Sequence, residues 1–278
     1  MRASHNISII GAGAWGTALA VHTARQGFPV RLWARRPELA ERLSRERENE
    51  SFLPGVTLPP GISVTSSCLE AVQGAMLIIW VVPSHVLREV VRRFRPCLTG
   101  EAVFLSAAKG IEDDTFATMT EILAAETAGL AMPIGALSGP SFAREVAEGL
   151  PTAVTAAFEN PETAALIQTW LSAPVFRIYT SRDVKGVELG GAMKNVYAIA
   201  AGICDGLELG LNARAAFLTR ALAEMTRLAV RCGANPLTIS GLSGLGDLLL
   251  TATGDLSRNR RVGLRLGSGE KLADILAG

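Results

Sequence analysis

The sequence predicts an α/β chain in two parts, a parallel sheet with crossover helices over residues 1–182 followed by an all-α region over 183–278. Three observations carry that expectation. Short β-branched runs alternate with longer helical patterns over the first half, as they do when helices join the strands of a parallel sheet. The run from Ala75 to Val82 is apolar throughout, which suits a central strand buried on both faces. Beyond Asp183 strand-like runs stop, and Ala- and Leu-rich segments with helical spacing take over at 184–204, 213–232, 236–252 and 260–277.

In chain order, Asn6–Ile10 reads as a strand and Trp15–Gln26 as a helix closed by Gly27 at a C-cap position. Val30–Ala34 is the second strand. Pro37–Arg47, with Leu39 and Leu43 on one face, predicts a helix. The Pro- and Gly-bearing stretch Ser51–Gly61 reads as a loop, and Ser63–Thr65 as a short strand. Val103–Ser106, Ile134–Leu137, Ala153–Ala156 and Val175–Tyr179 complete the strands. The boundary between the two parts is expected at Ser181–Asp183.

Composition narrows the function classes. Hydrophobic residues make up 49% of the 278 and charged residues 19%, which indicates a globular core and not a disordered chain. Lys plus Arg number 27 against 26 Asp plus Glu. A balance so close to neutral gives no electrostatic footprint for nucleic acid or an anionic membrane. The longest apolar run ends at Pro83, well short of the about 20 residues a bilayer span needs, so no membrane insertion is expected. Cys68, Cys97, Cys204 and Cys232 form no C-x-x-C pair and read as buried reduced thiols of a cytosolic protein. Met1 runs directly into the first strand, leaving no room for a signal peptide, so a cytoplasmic location is expected. His5, His22 and His85 have no metal-like neighbours in sequence and read as structural; no metal is expected.

The first chemical signal is Gly11-Ala12-Gly13-Ala14-Trp15-Gly16. A G-x-G-x-x-G string is weak alone, but here it lies between a strand and a helix, with a second strand following. That is the context of a dinucleotide-binding Rossmann turn. Gly11 allows the tight turn, Gly13 lets backbone approach a pyrophosphate, Gly16 lets helix pack on sheet, and the helix N-terminus supplies N–H groups. A plain glycine turn that binds nothing is the alternative. An NAD-specific site usually places Asp or Glu about 20 residues past the fingerprint. Here the second strand ends in Trp33-Ala34-Arg35-Arg36, with no acid before Glu38. Guanidinium groups grip a 2′-phosphate, so NADP(H) is favoured, with NAD(H) left open. A solvated Arg pair opening a helix is the competing explanation.

Two lysines add to this. Lys109 follows the strand Val103–Ser106, at the carboxyl edge where open α/β sheets bind ligands. Lys194 lies in Gly190-Gly191-Ala192-Met193-Lys194-Asn195, inside an otherwise apolar helix, and leans back over the two glycines. Mid-helix glycines cost about 1 kcal/mol each relative to Ala, which the close approach of a ligand or of another backbone would offset. A snorkelling lysine over closely packed helices is the bland explanation.

On these residues and three further blocks the chain resembles the bacterial-type NAD(P)-dependent glycerol-3-phosphate dehydrogenases from end to end. The matching blocks, in order, begin at Gly11, at Ala108-Lys-Gly-Ile-Glu112, at Ser138-Gly-Pro-Ser-Phe-Ala143, at Leu189, at Gly244-Leu-Gly-Asp-Leu248 and at Ser257-Arg-Asn-Arg260. The resemblance implies interconversion of dihydroxyacetone phosphate and sn-glycerol 3-phosphate, which supplies phospholipid synthesis, and a small phosphorylated substrate; a homodimer is left open. Carried onto matching positions, it implies that Lys194 accepts the proton of the substrate C2 hydroxyl and that Lys109 contacts both substrate and cofactor. It also implies substrate contacts at Gly139, Ser141, Asp247, Ser257, Arg258 and Asn259. Ala14, Trp15, Ala143 and Arg258 would contact the cofactor, with Arg35 and Arg36 on its 2′-phosphate.

The chemistry agrees with those roles. A lysine serves as base once it holds its proton less tightly than usual, which burial beside a second cation such as Lys109 achieves. Asp247 could orient the lysine or the substrate hydroxyls. Arg258 and Asn259, at an expected helix start, suit the substrate phosphate. The family continues some tens of residues past Gly278, so the second domain is expected to be incomplete at its C-terminus. Another β-hydroxy-acid-type dehydrogenase, or a nucleotide-responsive binding protein without turnover, are the other classes to weigh. The first is expected to lack the Ser257-Arg258-Asn259 block, and the second has no need of both Lys109 and Lys194.

Overall fold

Near-continuous burial along the N-terminal strands marks a sheet with both faces covered. The computed structural model describes residues 5–277; residues 1–4 and 278, the outer ends of the two expected domains, lie outside the described residues. The chain divides into one unit reaching Leu137 and resuming over Ser141–Arg182, and a second formed by Ser138–Pro140 with the chain from Asp183 onward. A single break at 181–183 would leave Ser138–Pro140 in the first part. They join the second because a Cβ on Gly246 would touch the Pro140 ring at 3.5 Å.

The first unit runs β1 (Asn6–Ile10), α1 (Ala14–Arg25), β2 (Val30–Trp33), α2 (Pro37–Glu46), β3 (Glu48–Asn49), β4 (Leu53–Thr57), β5 (Ile62–Thr65), α3 (Cys68–Val72), β6 (Ala75–Trp80) and α4 (Ser84–Phe94). It continues through β7 (Val103–Ser106), α5 (Met119–Glu126), β8 (Ile134–Ser138), α6 (Ala143–Glu148), β9 (Thr152–Phe158), α7 (Pro161–Leu171) and β10 (Phe176–Ser181). Eight strands form one sheet in the order β5-β2-β1-β6-β7-β8-β9-β10. The pairs from β5 through β8, and β9 with β10, are parallel. The first six follow the 3-2-1-4-5-6 order of a dinucleotide-binding sheet, and the order reverses between β1 and β6.

Period-2 patterning sorts side chains to the two faces. In β6, Leu77 and Ile79 join the core under α1, while Ile78 and Trp80 join the one under α4 and α5. In the second core Phe94 meets Trp33 and Trp80 edge to face at centroid distances of 5.1 and 5.6 Å. Contacts of this kind contribute about 0.5–1.5 kcal/mol beyond area burial. His22 is buried in the first core with its Nε2 2.8 Å from the Leu171 carbonyl.

The stretch Ser51–Gly61 departs from expectation. It carries β4, which pairs antiparallel with β3 in a two-stranded hairpin. Side chains supply the bonds that Pro54 and Gly55 would be expected to weaken. The Gly55 N–H donates to Glu48 Oε1 at 2.7 Å, and Arg47 spreads its guanidinium over the carbonyls of Leu58, Pro59 and Ile62.

The second unit holds α8 (Val184–Gly206), α9 (Gly210–Arg231), α10 (Pro236–Ile239), a π turn (Leu242–Gly246), α11 (Asp247–Thr253), α12 (Arg258–Gly267) and α13 (Leu272–Ala277). The helical segment expected over 236–252 is thus broken by the π turn, and that over 260–277 by Ser268-Gly269, where Gly269 takes φ +91°. Asp183 caps α8 through the Gly186 N–H (2.8 Å) and accepts the Asn235 N–H at 2.9 Å, tying the starts of α8 and α10 together. The packing of α8 on α12 is backbone to backbone. A Cβ on Gly202 would collide with Arg260, one on Gly263 with Ile199, and one on Gly206 would sit 2.9 Å from the Gly267 Cα. Among the described residues no helix is long and apolar enough to cross a membrane. The cysteines are less buried than expected: Cys68, Cys97 and Cys204 are half-buried and Cys232 is exposed, all as free thiols.

Candidate active site

In the first unit the loop from Gly11 to Gly16 lies at the switch point of the sheet. Gly11 donates its N–H to the Trp33 carbonyl at 3.1 Å and the Val81 N–H reaches the Ile10 carbonyl at 2.9 Å, so the loop leaves between β2 and β6. The three glycines differ in what a side chain would meet. Gly11 has φ +125°, and a Cβ there would lie 2.7 Å from the Val81 carbonyl oxygen. At Gly16 a Cβ would collide with the Gly11 carbonyl, whereas at Gly13 it would meet nothing within 4 Å. Two glycines therefore serve tight packing and the middle one keeps open space at the N-terminus of α1. Open space, a glycine cap and first-turn N–H groups fit a dinucleotide pyrophosphate. Ala14 and Trp15 are half-buried in that first turn, and Arg35 and Arg36 are exposed at the end of the neighbouring β2.

Lys109 lies half-buried in the loop after β7, beside Gly110, whose φ of +153° and contact with Ser84 admit only glycine. The loop is strapped to the helices behind it. Arg88 on α4 donates to Glu112 through Nε (2.7 Å) and Nη2 (2.6 Å), and to Glu126 on α5 through Nη1. These bonds hold the Glu112 carboxyl down to about 2, with Thr115 adding a further one. Gly139 at φ +140° turns the chain out of β8, and Ser141 and Ala143 lead into α6, both half-buried.

The second unit gathers most of the residues assigned to the substrate. Lys194 Nζ donates to Asp247 Oδ1 in an ion pair whose carboxylate side chain has no exposed surface and whose lysine is 12% exposed. The π turn delivers Asp247 to the start of α11, where Thr251 donates its hydroxyl to the Asp247 carbonyl at 2.7 Å. Asn259 Nδ2 donates to Asn195 Oδ1 at 2.8 Å, bringing the first turn of α12 against the residue after Lys194. The Ser257 hydroxyl caps α12 by accepting the Arg260 N–H at 3.1 Å, and Arg258 is exposed at the helix start. Asp205, near the end of α8, accepts from Arg214 and Arg260 and fixes this turn from behind.

Gly190 is explained by backbone and not by a ligand: a Cβ there would lie 2.5 Å from the Ser243 carbonyl oxygen and 3.1 Å from the Gly244 Cα. Sequence reasoning passed over Asn195 and Thr251. Their signals were adjacency to Lys194 and the i+4 spacing from Asp247.

A parallel sheet with this loop at its switch point, followed by a helical unit carrying a buried lysine–carboxylate pair, defines a nicotinamide-dinucleotide-dependent dehydrogenase. Residues 6–164 match the family model described as NAD-dependent glycerol-3-phosphate dehydrogenase N-terminus, and residues 183–278 the one described as its C-terminus. The chain belongs to the NAD-dependent glycerol-3-phosphate dehydrogenase family. It is 53% identical over 274 residues to the glycerol-3-phosphate dehydrogenase [NAD(P)+] of Koribacter versatilis, covering 98% of this chain and 81% of that protein. It is also 53% identical to that of Geobacter sulfurreducens, with 98% and 82% covered. The crystal structure of glycerol-3-phosphate dehydrogenase from Coxiella burnetii superposes with a TM-score of 0.94 at 41% identity, covering 98% of this chain and 83% of that one.

Proposed function

We propose that this chain interconverts dihydroxyacetone phosphate and sn-glycerol 3-phosphate with a nicotinamide dinucleotide, NADP(H) in preference to NAD(H). The observation that carries this is the buried Lys194–Asp247 pair with the Asn259 turn beside it, in a chain whose relatives bear that enzyme's name. When bound, the dinucleotide supplies or takes the hydride at the substrate C2. Residues of the glycine loop, Ala143, Lys109 and Arg258 hold it, and Arg35 and Arg36 meet its 2′-phosphate.

Lys194 moves the proton. In the reductive direction its ammonium, held by the Asp247 carboxylate, gives a proton to the oxygen on C2; in the oxidative direction the neutral amine takes it back. Asp247 fixes the direction in which Nζ points, because a buried carboxylate is strongly unfavourable without its cation. Arg258 and Asn259 bind the substrate phosphate at the start of α12, where a guanidinium and a helix N-terminus favour an anion. Lys109, Gly139, Ser141 and Ser257 complete the substrate contacts.

The test is NADPH and NADH absorbance on adding dihydroxyacetone phosphate, with phosphate-free dihydroxyacetone as control. Oxidation that requires the phosphate and runs better with NADPH is expected. Activity confined to 3-hydroxy or 3-keto acids would move the chain to a different dehydrogenase reaction.

A further inference from the structure

Asn49 has no part in the reaction described above, yet it is fully buried and points at the glycine loop. Its Nδ2 donates to the Ala12 carbonyl at 3.0 Å and to the Thr17 hydroxyl at 2.7 Å. An amide nitrogen carries two hydrogens, so both bonds form at once, and the Ala12 carbonyl accepts only, which fixes which end of the amide faces the loop. We propose that Asn49 is the positioning residue for the dinucleotide-binding loop, a role that rests on the dinucleotide reading above.

The geometry explains how. A trans peptide is planar, with its C=O and N–H on opposite sides. Turning the Ala12 carbonyl toward Asn49 therefore turns the Gly13 N–H the other way. Thr17, the second partner, donates its own N–H to the Gly13 carbonyl at 2.9 Å. Asn49 thus holds the loop on both sides of Gly13, the glycine with open space around it.

The hairpin is built to present this amide. Leu58 donates its N–H to the Arg47 carbonyl at 2.7 Å, Phe52 donates to the Asn49 carbonyl at 3.1 Å, and the Arg47 guanidinium clasps the chain entering β5. Asn49 Oδ1 meanwhile has no hydrogen-bond partner among the described residues. A buried acceptor left unpaired is destabilising, so an apolar residue would serve the hairpin's stability better. The amide is retained for what its nitrogen does to the loop.

The test is fluorescence titration of NADH and NADPH against wild type and variants of the full chain, with steady-state kinetics and thermal unfolding alongside. Asn49→Ala is expected to weaken both cofactors by the same factor, about tenfold for the lost bonds, with kcat at saturating cofactor and the substrate KM within twofold of wild type. Asn49→Asp, which turns a carboxylate toward the Ala12 carbonyl, is expected to weaken both further. Val56→Ala, which loosens the hairpin through a buried apolar residue, lowers Tm but leaves both Kd values unchanged. Thr17→Val removes the second acceptor and gives a smaller loss of the same kind, which keeps the test open if the Asn49 variants fail to fold. Unchanged Kd in Asn49→Ala, or an equal loss in Val56→Ala, overturns the proposal while the dinucleotide reading stands. A wild-type protein that binds neither cofactor overturns both.

Discussion

Gly190→Ala tests whether the catalytic pair is set by the backbone contact beneath it. The new Cβ would lie 2.5 Å from the Ser243 carbonyl oxygen, where ordinary van der Waals contact starts at 3.4 Å. Helix α8 and the π turn must therefore separate by about 0.9 Å. Overpacking of this kind costs about 1–3 kcal/mol, and replacing a mid-helix glycine with alanine offsets about 1 kcal/mol of that. The expected net loss of stability is about 0–2 kcal/mol. The effect on the chemistry is larger. Gly190 lies one turn before Lys194, and Ser243 lies four residues before Asp247, so the separation opens the pair. A misplacement near 1 Å lowers rate about 10²-fold. Steady-state oxidation of NADPH by dihydroxyacetone phosphate gives kcat, and urea unfolding gives stability. A loss of about two orders in kcat, with NADPH affinity intact, is expected. Wild-type kcat in a folded Gly190→Ala protein would refute the reasoning, because the contact would then have nothing to do with the placement of Lys194.

The other predictions concern the first unit. Arg35→Asp replaces attraction to a 2′-phosphate with repulsion, so titration should show a much larger loss for NADPH than for NADH; equal losses would remove Arg35 from that role. The Glu112 carboxyl, drawn down to about 2 chiefly by Arg88, lies below its ordinary 4.5. The pair's stabilisation is therefore fully present above about pH 4.5 and lost as pH falls toward 2. In Glu112→Gln the urea midpoint should fall less steeply across that window than in wild type, and parallel curves would show the pair to be without effect.

Much of the fold was legible in the sequence, and the parts that were not share a physical cause. Strands such as Asn6–Ile10 and Val103–Ser106 declare themselves through local burial patterns, and the glycine fingerprint through its spacing between strand and helix. The β3–β4 hairpin does not, because its strands are short and its backbone pairing is supplemented by the Arg47 and Glu48 side chains, which no periodicity reveals. The break of 236–252 into two helices and a π turn is invisible for a similar reason. Leu242–Gly246 keeps apolar helical spacing, and the close approach of Gly190 to Ser243 is a tertiary contact that this spacing does not encode. Gly202, Gly206, Gly263 and Gly267 take their meaning from the backbone contact between α8 and α12, which joins residues far apart in the chain.

At the site, Lys194 stood out as a charge within an apolar helix, and Asp247 entered only through resemblance. Their pairing across 53 positions is a tertiary contact that no local pattern encodes. Within its own unit Lys194 is met by a buried carboxylate.

The most direct measurement is the rate of dihydroxyacetone phosphate reduction by Lys194→Ala, read together with its NADPH affinity. If Lys194 carries the proton, kcat falls by at least the ~10²-fold typical of a lost acid–base group. The NADPH Kd stays at the wild-type value, because the glycine loop belongs to the other unit. Lys194→Arg fails to restore glycerol 3-phosphate oxidation, since a guanidinium stays protonated at any working pH and takes no proton from the hydroxyl. A variant with only a raised KM and an undiminished kcat would contradict the account: Lys194 would then merely bind substrate, and the proton would have to be carried by another group, with Lys109 the first to test.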